Sequence, residues 1–208
     1  MAGAKPRTVG DGMALFRARK LPDALALFDE LHADQPALRA TLWQRGLSLF
    51  YAGRFEEGSA QFRSDVAHNG ADAEEALWAF LCDARGAGGF YGARSGMLAV
   101  GEDPRPVLRV ALDVFRGSAP LSALRAAGGR GGPHDGFYAH LYEALYLEVA
   151  PSGEGGGGAA REALLRALAS PYAATARERD YMVDVAGVHA ETRGWAAAAG
   201  GPTEKRLD

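Results

Sequence analysis

Apolar residues recur at helical spacing almost from the start of this chain. Met13, Leu15 and Phe16 share one face of a short segment predicted to end near Lys20. Pro22 opens the next segment, where a missing N–H costs nothing, and Ala24, Leu25, Leu27, Phe28 and Leu31 form its stripe before Pro36 ends it. A second pair is predicted from near Leu38. Its first helix carries Leu42, Trp43, Leu47, Leu49 and Phe50. Gly53 closes that helix as a left-handed C-terminal residue, and Phe55 to Asn69 follow with Phe55, Phe62 and Val66 inward. Asn69-Gly70 is a stop signal. A third pair begins near Ala73, with Leu77, Trp78, Phe80 and Leu81 in a strongly apolar first helix, but the glycines from Gly86 to Gly96 shorten its partner.

Beyond the rigid Asp103-Pro-Arg-Pro106 connector the pattern predicts a helix over Val107–Phe115, a short one over Leu121–Ala126 and a flexible loop over Gly128–Gly132. An aromatic helix over Phe137–Val149, a mobile loop over Pro151–Gly158, a helix over Ala159–Ala169 and a last helix over Arg177–Arg193 complete the reading. No window alternates with period 2, so the predicted class is all-α. Residues 8–195 read as one domain and residues 196–208 as a disordered tail.

Displaced by 34 residues, the first third of the chain lies on the second. Gly12 falls on Gly46, Leu15 on Leu49, Ala24 on Gly58 and Phe28 on Phe62. The period is regular over residues 5–72 and diverges over 73–195, after the glycines that follow Ala84. Stacked helical pairs of this length bury a core between neighbours and leave a groove, which points to binding before catalysis.

The charge balance narrows the partner class. With 208 residues, 48% hydrophobic and 24% charged, the chain has the composition of a globular protein, and its net charge of −3 argues against a nucleic-acid or membrane-surface binder. No stretch approaches the ~18 apolar residues of a membrane span, and Met1–Gly10 lacks the apolar region of a secretory signal. A cytoplasmic or organelle-soluble protein is therefore expected. The single cysteine, Cys82, lies in an apolar run and reads as a small buried hydrophobe.

Three segments carry a family resemblance: Arg45-Gly-Leu-Ser-Leu-Phe-Tyr-Ala-Gly-Arg-Phe-Glu-Glu57, Ala76-Leu-Trp-Ala-Phe-Leu81, and Phe137-Tyr-Ala-His-Leu-Tyr142 followed by Ala160 and Leu164. The first two units resemble tetratricopeptide (TPR) repeats. The order of elements over roughly residues 8–195 is similar to that of the bacterial NlpI-type TPR lipoproteins. The resemblance implies a short right-handed superhelix of helix–turn–helix pairs with an irregular middle and a C-terminal capping helix. It also implies a non-catalytic adaptor, in some cases a homodimer, that binds another protein or peptide. The lipoprotein's N-terminal cysteine and signal are absent here, so its envelope location does not transfer.

The groove positions of TPR first helices fall on Val9, Met13, Phe16 and Arg17 in the first unit and on Trp43, Leu47, Phe50 and Tyr51 in the second. In the third they fall on Leu77, Leu81, Ala84 and Arg85. The implied partner-binding surface is Met13, Phe16, Arg17, Trp43, Leu47, Phe50, Tyr51, Leu81 and Arg85: apolar, aromatic and edged by arginine, suited to an apolar helix or extended peptide. The same stripe also suits a neighbouring helix of this chain lying in the groove. Val9, Met13, Trp43 and Leu47 stand where chaperone-tail-binding TPR domains hold a carboxylate, and they cannot hydrogen-bond one.

Little else in the chain suggests chemistry. His134 and His140, with Asp135 between them, lack the i, i+4 spacing that puts two imidazoles on one helix face, so no metal is expected. Asp29-Glu30 and Glu56-Glu57 read as solvated surface, and no nucleophile elbow, phosphate loop or dinucleotide fingerprint is present, so neither an enzyme nor a cofactor is expected. Besides an adaptor, the pattern suits a structural subunit packed permanently in a larger assembly.

Overall fold

The computed structural model describes residues 7–151, 153, 156–176 and 179–195. Among them the secondary structure is entirely helical. No helix among them is long and apolar enough to cross a membrane.

The first pair is α1 (Val9–Arg17) and α2 (Leu21–Asp34). Thr8 caps α1 through a capping box: its Oγ1 accepts from Asp11 N at 3.2 Å, while its own N–H donates to Asp11 Oδ2 at 2.9 Å. The second pair is α3 (Trp43–Tyr51) and α4 (Phe55–His68). Helix α3 begins five residues later than expected. Pro36–Leu38 is a 3-10 turn, and the Arg39 guanidinium donates to the carbonyls of His32 and Ala33 at 2.8 and 3.0 Å, so this stretch caps α2.

The 34-residue register is written into the backbone. Lys20 N donates to Leu15 O and Arg54 N to Leu49 O, both at 3.0 Å, closing α1 and α3 by the same six-to-one bond. The residues that open α2 and α4, Lys20 and Arg54, have φ, ψ of −85°, 60° and −87°, 61°. Those that close them, Gln35 and Asn69, have −123°, 83° and −123°, 84°. Within each pair a glycine faces a ring. A Cβ on Gly12 would lie 2.5 Å from Phe28 Cε1, and one on Gly46 2.7 Å from Phe62 Cζ. Only hydrogen at those positions lets the helices approach this closely.

Helix α5 (Ala73–Arg85) starts where the period puts it, capped by Asp72, whose carboxylate accepts from Glu74 N at 2.9 Å. Its partner α6 (Gly89–Ser95) has seven residues, and the left-handed glycine comes at Gly89 rather than at position 87, two residues out of register. The connector that follows is tied down by Asp103. This carboxylate is buried and accepts from Ala73 N at 3.0 Å and Arg105 N at 2.8 Å, joining the start of α5 to the start of α7 (Pro106–Arg116).

Helices α8 (Leu121–Arg130) and α9 (Pro133–Val149) depart from the sequence expectation. Gly128 and Gly129 lie inside α8, not in a loop. A Cβ on Gly128 would sit 2.5 Å from that of Ala139, so this glycine serves the crossing of α8 over α9. Pro133 opens α9 four residues before Phe137. Helix α10 (Gly156–Leu168) takes in the last three glycines of the run expected to be a mobile loop, while Ser152, Glu154 and Gly155 lie outside the described residues. After α11 (Pro171–Ala176), α12 (Tyr181–Thr192) starts four residues later than expected, because Asp180 caps it by accepting from Met182 N at 2.9 Å. The expected start at Arg177 and the expected tail at 196–208 lie outside the described residues.

One core runs the length of the molecule, from Phe16 and Phe28 through Trp78 and Phe80 to Phe115, Tyr142 and Leu164, all but buried. Each such side chain contributes about 1.5–3 kcal/mol relative to its exposed state. Cys82 is part of that core, its thiol pushed well up by burial. Helix α12 packs on α10 and on α1, bringing the C-terminal helix back against the first.

Candidate functional site

The nine residues expected to line a groove gather on one face, and α12 lies along it. Phe16 is buried with its ring 5.3 Å from Tyr181 and 5.8 Å from Tyr51. Trp43, half-buried, meets Tyr181 edge-on at 5.4 Å. Tyr51 Oη is 3.2 Å from His189 Nδ1. Phe50 is closed in by Tyr51, Phe55 and Trp78, and Leu47 and Leu81 are each 1% exposed. The two arginines expected at the edges are held by acids of this chain. Arg17 Nε donates to Asp184 at 2.6 Å and stacks over Tyr181, and Arg85 Nη1 donates to Glu148 at 3.2 Å.

Phe16, Leu47, Phe50 and Leu81 are therefore core residues. The physical reason is α12 itself: Tyr181, Val185, Ala186 and His189 are all buried, and they cover the apolar stripe that the repeat pattern leaves on α1 and α3. His189 is fully buried, and desolvation lowers its pKa. Its Nε2 lies 2.8 Å from Glu148, whose carboxyl is held at about 2 against the cost of burial by His189 and Arg193.

Beyond the N-terminal end of α12 a cavity of about 390 Å³ lies between the first-helix face and the far helices. Met13 comes from α1, Trp43 and Leu47 from α3, Phe62 from α4 and Tyr138 from α9. Helix α5 contributes Glu74, Glu75 and Trp78, and the start of α12 contributes Asp180, Tyr181 and Met182, with Asp72 and Arg179 completing the lining. The walls are aromatic and the charge is acidic. Three of the four carboxylates are engaged. Asp72 and Glu74 are paired with Arg105, Glu74 also accepts from Tyr142 Oη at 2.8 Å, and Asp180 accepts from Tyr138 and Tyr172 at 3.0 and 2.8 Å.

The fourth, Glu75, is different. Its Oε2 is buried with no hydrogen-bond partner among the described residues. Burial first, and then the charges of Asp72, Asp65 and Glu74, push its pKa up to about 8 against the opposing pull of Arg105. Two neighbours share its condition. Trp78 Nε1 and Tyr181 Oη are also buried without partners, on side chains 2% and 7% exposed. Glu75 and Trp78 stand at i, i+3 on α5 and so on the same side of the helix. A buried donor or acceptor left unpaired costs roughly 1–3 kcal/mol, so three at one wall mark a place built for a complement.

No family model, curated protein or solved structure matches this chain.

The other candidates from the sequence go elsewhere. His134 Nδ1 lies 2.8 Å from Asp135 with its ring stacked on Tyr138, and His140 Nδ1 is 3.6 Å from Glu143. Asp29 and Glu57, expected to be solvated acids, form an ion-pair network with Arg45 and Arg54 that joins α2 to α3 and α4. Sequence reasoning brought Met13, Trp43 and Leu47 to the cavity and missed Glu75, Tyr138, Asp180 and the part played by Trp78. The i, i+3 spacing of Glu75 and Trp78 was a readable signal, and so was Asp180 as a cap before the apolar run of α12.

Proposed function

We propose that this chain is a tetratricopeptide-type adaptor, a short right-handed superhelix that binds a segment of another protein at the cavity beside Trp43. The observation that carries the reading is the repeat itself. Helix pairs α1–α2 and α3–α4 share capping bonds and end dihedrals at a spacing of 34 residues, with Gly12 under Phe28 and Gly46 under Phe62. Repeats of this kind present concave faces to partners. Here α12 occupies part of that face, which narrows the accessible site to Met13, Trp43, Tyr138 and the first turn of α12. A concave, largely aromatic pocket with a few convergent polar groups is the form that binding sites take.

The test is photocrosslinking in native extract with a photoreactive residue in place of Met13, followed by reconstitution with the captured protein. A partner whose purified form binds the unaltered chain and loses affinity with Trp43→Ala, at unchanged circular dichroism, supports the reading. Equal binding by Trp43→Ala removes the cavity from the function.

A further inference from the structure

We infer that the group seated in the Trp43 cavity is a basic side chain, lysine or arginine, of a protein partner, with Glu75 as its counter-ion and the Trp78 indole N–H donating to a carbonyl of the same segment. This deepens the adaptor reading and rests on it. Charge complementarity selects the occupant. The cavity is lined by Asp72, Glu74, Glu75 and Asp180 against the single cation Arg179, and Arg105 behind the wall is already engaged by Asp72, Glu74 and Asp103. An acidic ligand would face four carboxylates. A purely apolar one would leave Glu75 Oε2 and Trp78 Nε1 buried and unpaired, as they are now among the described residues.

A basic side chain on a peptide supplies both missing groups. Its cation meets Glu75 in a charge-assisted hydrogen bond, and its carbonyl accepts from an indole that can only donate. The aromatic faces of Trp43 and Tyr181, 5.4 Å apart and edge to face, suit the cation and its apolar stem. Trp78 is 2% exposed and Tyr181 7%, so their polar atoms are turned from bulk water toward the lining of the site.

The experiment follows the indole N–H resonances of the full chain by two-dimensional NMR. Trp78 is identified by eliminating Trp43 and Trp195 with phenylalanine variants. The probes are N-acetyl-lysine methylamide and its uncharged counterpart, N-acetyl-norleucine methylamide. The expected result is a saturable shift of the Trp78 resonance with the lysine probe at about tenfold lower concentration than with norleucine, a preference that Glu75→Gln abolishes. Equal response to the two probes, no saturable response to lysine, or a lysine preference that survives Glu75→Gln overturns the inference. Equal binding of both leaves an apolar peptide seat, so the adaptor reading stands while the basic anchor falls. Should Glu75→Gln fail to fold, the comparison of probes on the unaltered chain still decides.

Discussion

Arg19 and Gly53, 34 residues apart, end equivalent helices in the same left-handed conformation, with φ of +63° and +74°. Glycine adopts that region freely, and arginine does so at a cost of roughly 1–2 kcal/mol. The side chain offsets part of this. Arg19 donates to Arg17 O at 2.6 Å and to Glu191 at 2.9 Å, and its guanidinium crosses α12 where Gly187 leaves room, 2.7 Å from the point a Cβ would occupy. Partly exposed ion pairs contribute at most about 1 kcal/mol. Arg19→Gly should therefore leave stability unchanged or raise it by up to about 1 kcal/mol. Arg19→Ala keeps the strain, loses the pair and should lower stability by about 0.5–1 kcal/mol. Urea midpoints of the two variants test this, and equal losses would count against backbone strain at Arg19.

Gly46 is expected to tolerate nothing larger. A Cβ there meets three atoms of the Phe62 ring at 2.7–2.9 Å, and Phe62 is 1% exposed with no room to withdraw. Gly46→Ala should cost roughly 1–3 kcal/mol by overpacking. Adding Phe62→Leu should make the double variant less unstable than the sum of the two single ones. Strict additivity in denaturant unfolding would show that the two positions do not interlock.

These two residue pairs also indicate how much the sequence revealed. Small-against-large spacing at Gly12–Phe28 and Gly46–Phe62 is a local pattern, legible because both partners lie within one repeat. Gly53 was legible as a left-handed residue, whereas Arg19 was not, since its conformation is held by Glu191, 172 residues away in the chain. Glycines misled wherever their role was tertiary: Gly128 reads as a loop residue and is instead the crossing point of two helices. The occupant of the face was illegible for the same reason. The apolar stripe of α1 and α3 suited a partner or a helix of the same chain equally well, and only the return of α12 distinguishes them.

That return should depend on apolar contact more than on charge. Tyr181 touches Phe16 and Trp43 at 5.3 and 5.4 Å and is 7% exposed, while the Arg17–Asp184 pair has an arginine side chain 41% exposed. Tyr181→Ala should cost about 3 kcal/mol and speed hydrogen exchange in α1, and Arg17→Ala should cost under about 1 kcal/mol. A larger loss from Arg17→Ala than from Tyr181→Ala would reverse the order of these forces.

The buried acid at the end of α4 predicts a pH dependence. Asp65 is 1% exposed; its Oδ1 accepts from Gln61 at 2.9 Å, and its Oδ2 has no partner among the described residues. Desolvation, with Asp72 adding to it, pushes its pKa up to about 7. Because the folded value lies above the unfolded one, near 4, the native state binds the extra proton across that interval. Its contribution to stability is whole below about pH 4 and is lost as pH rises through 7. Asp65→Asn has no such proton to lose. Relative to the unaltered chain it should be close to neutral at pH 5 and more stable by on the order of 1–3 kcal/mol at pH 8. His189 and Glu148 titrate in both chains and cancel from the difference. Guanidinium unfolding of both proteins at the two pH values measures it, and a gap that stays constant from pH 5 to pH 8 would mean that Asp65 is already ionised in the native state at the lower pH.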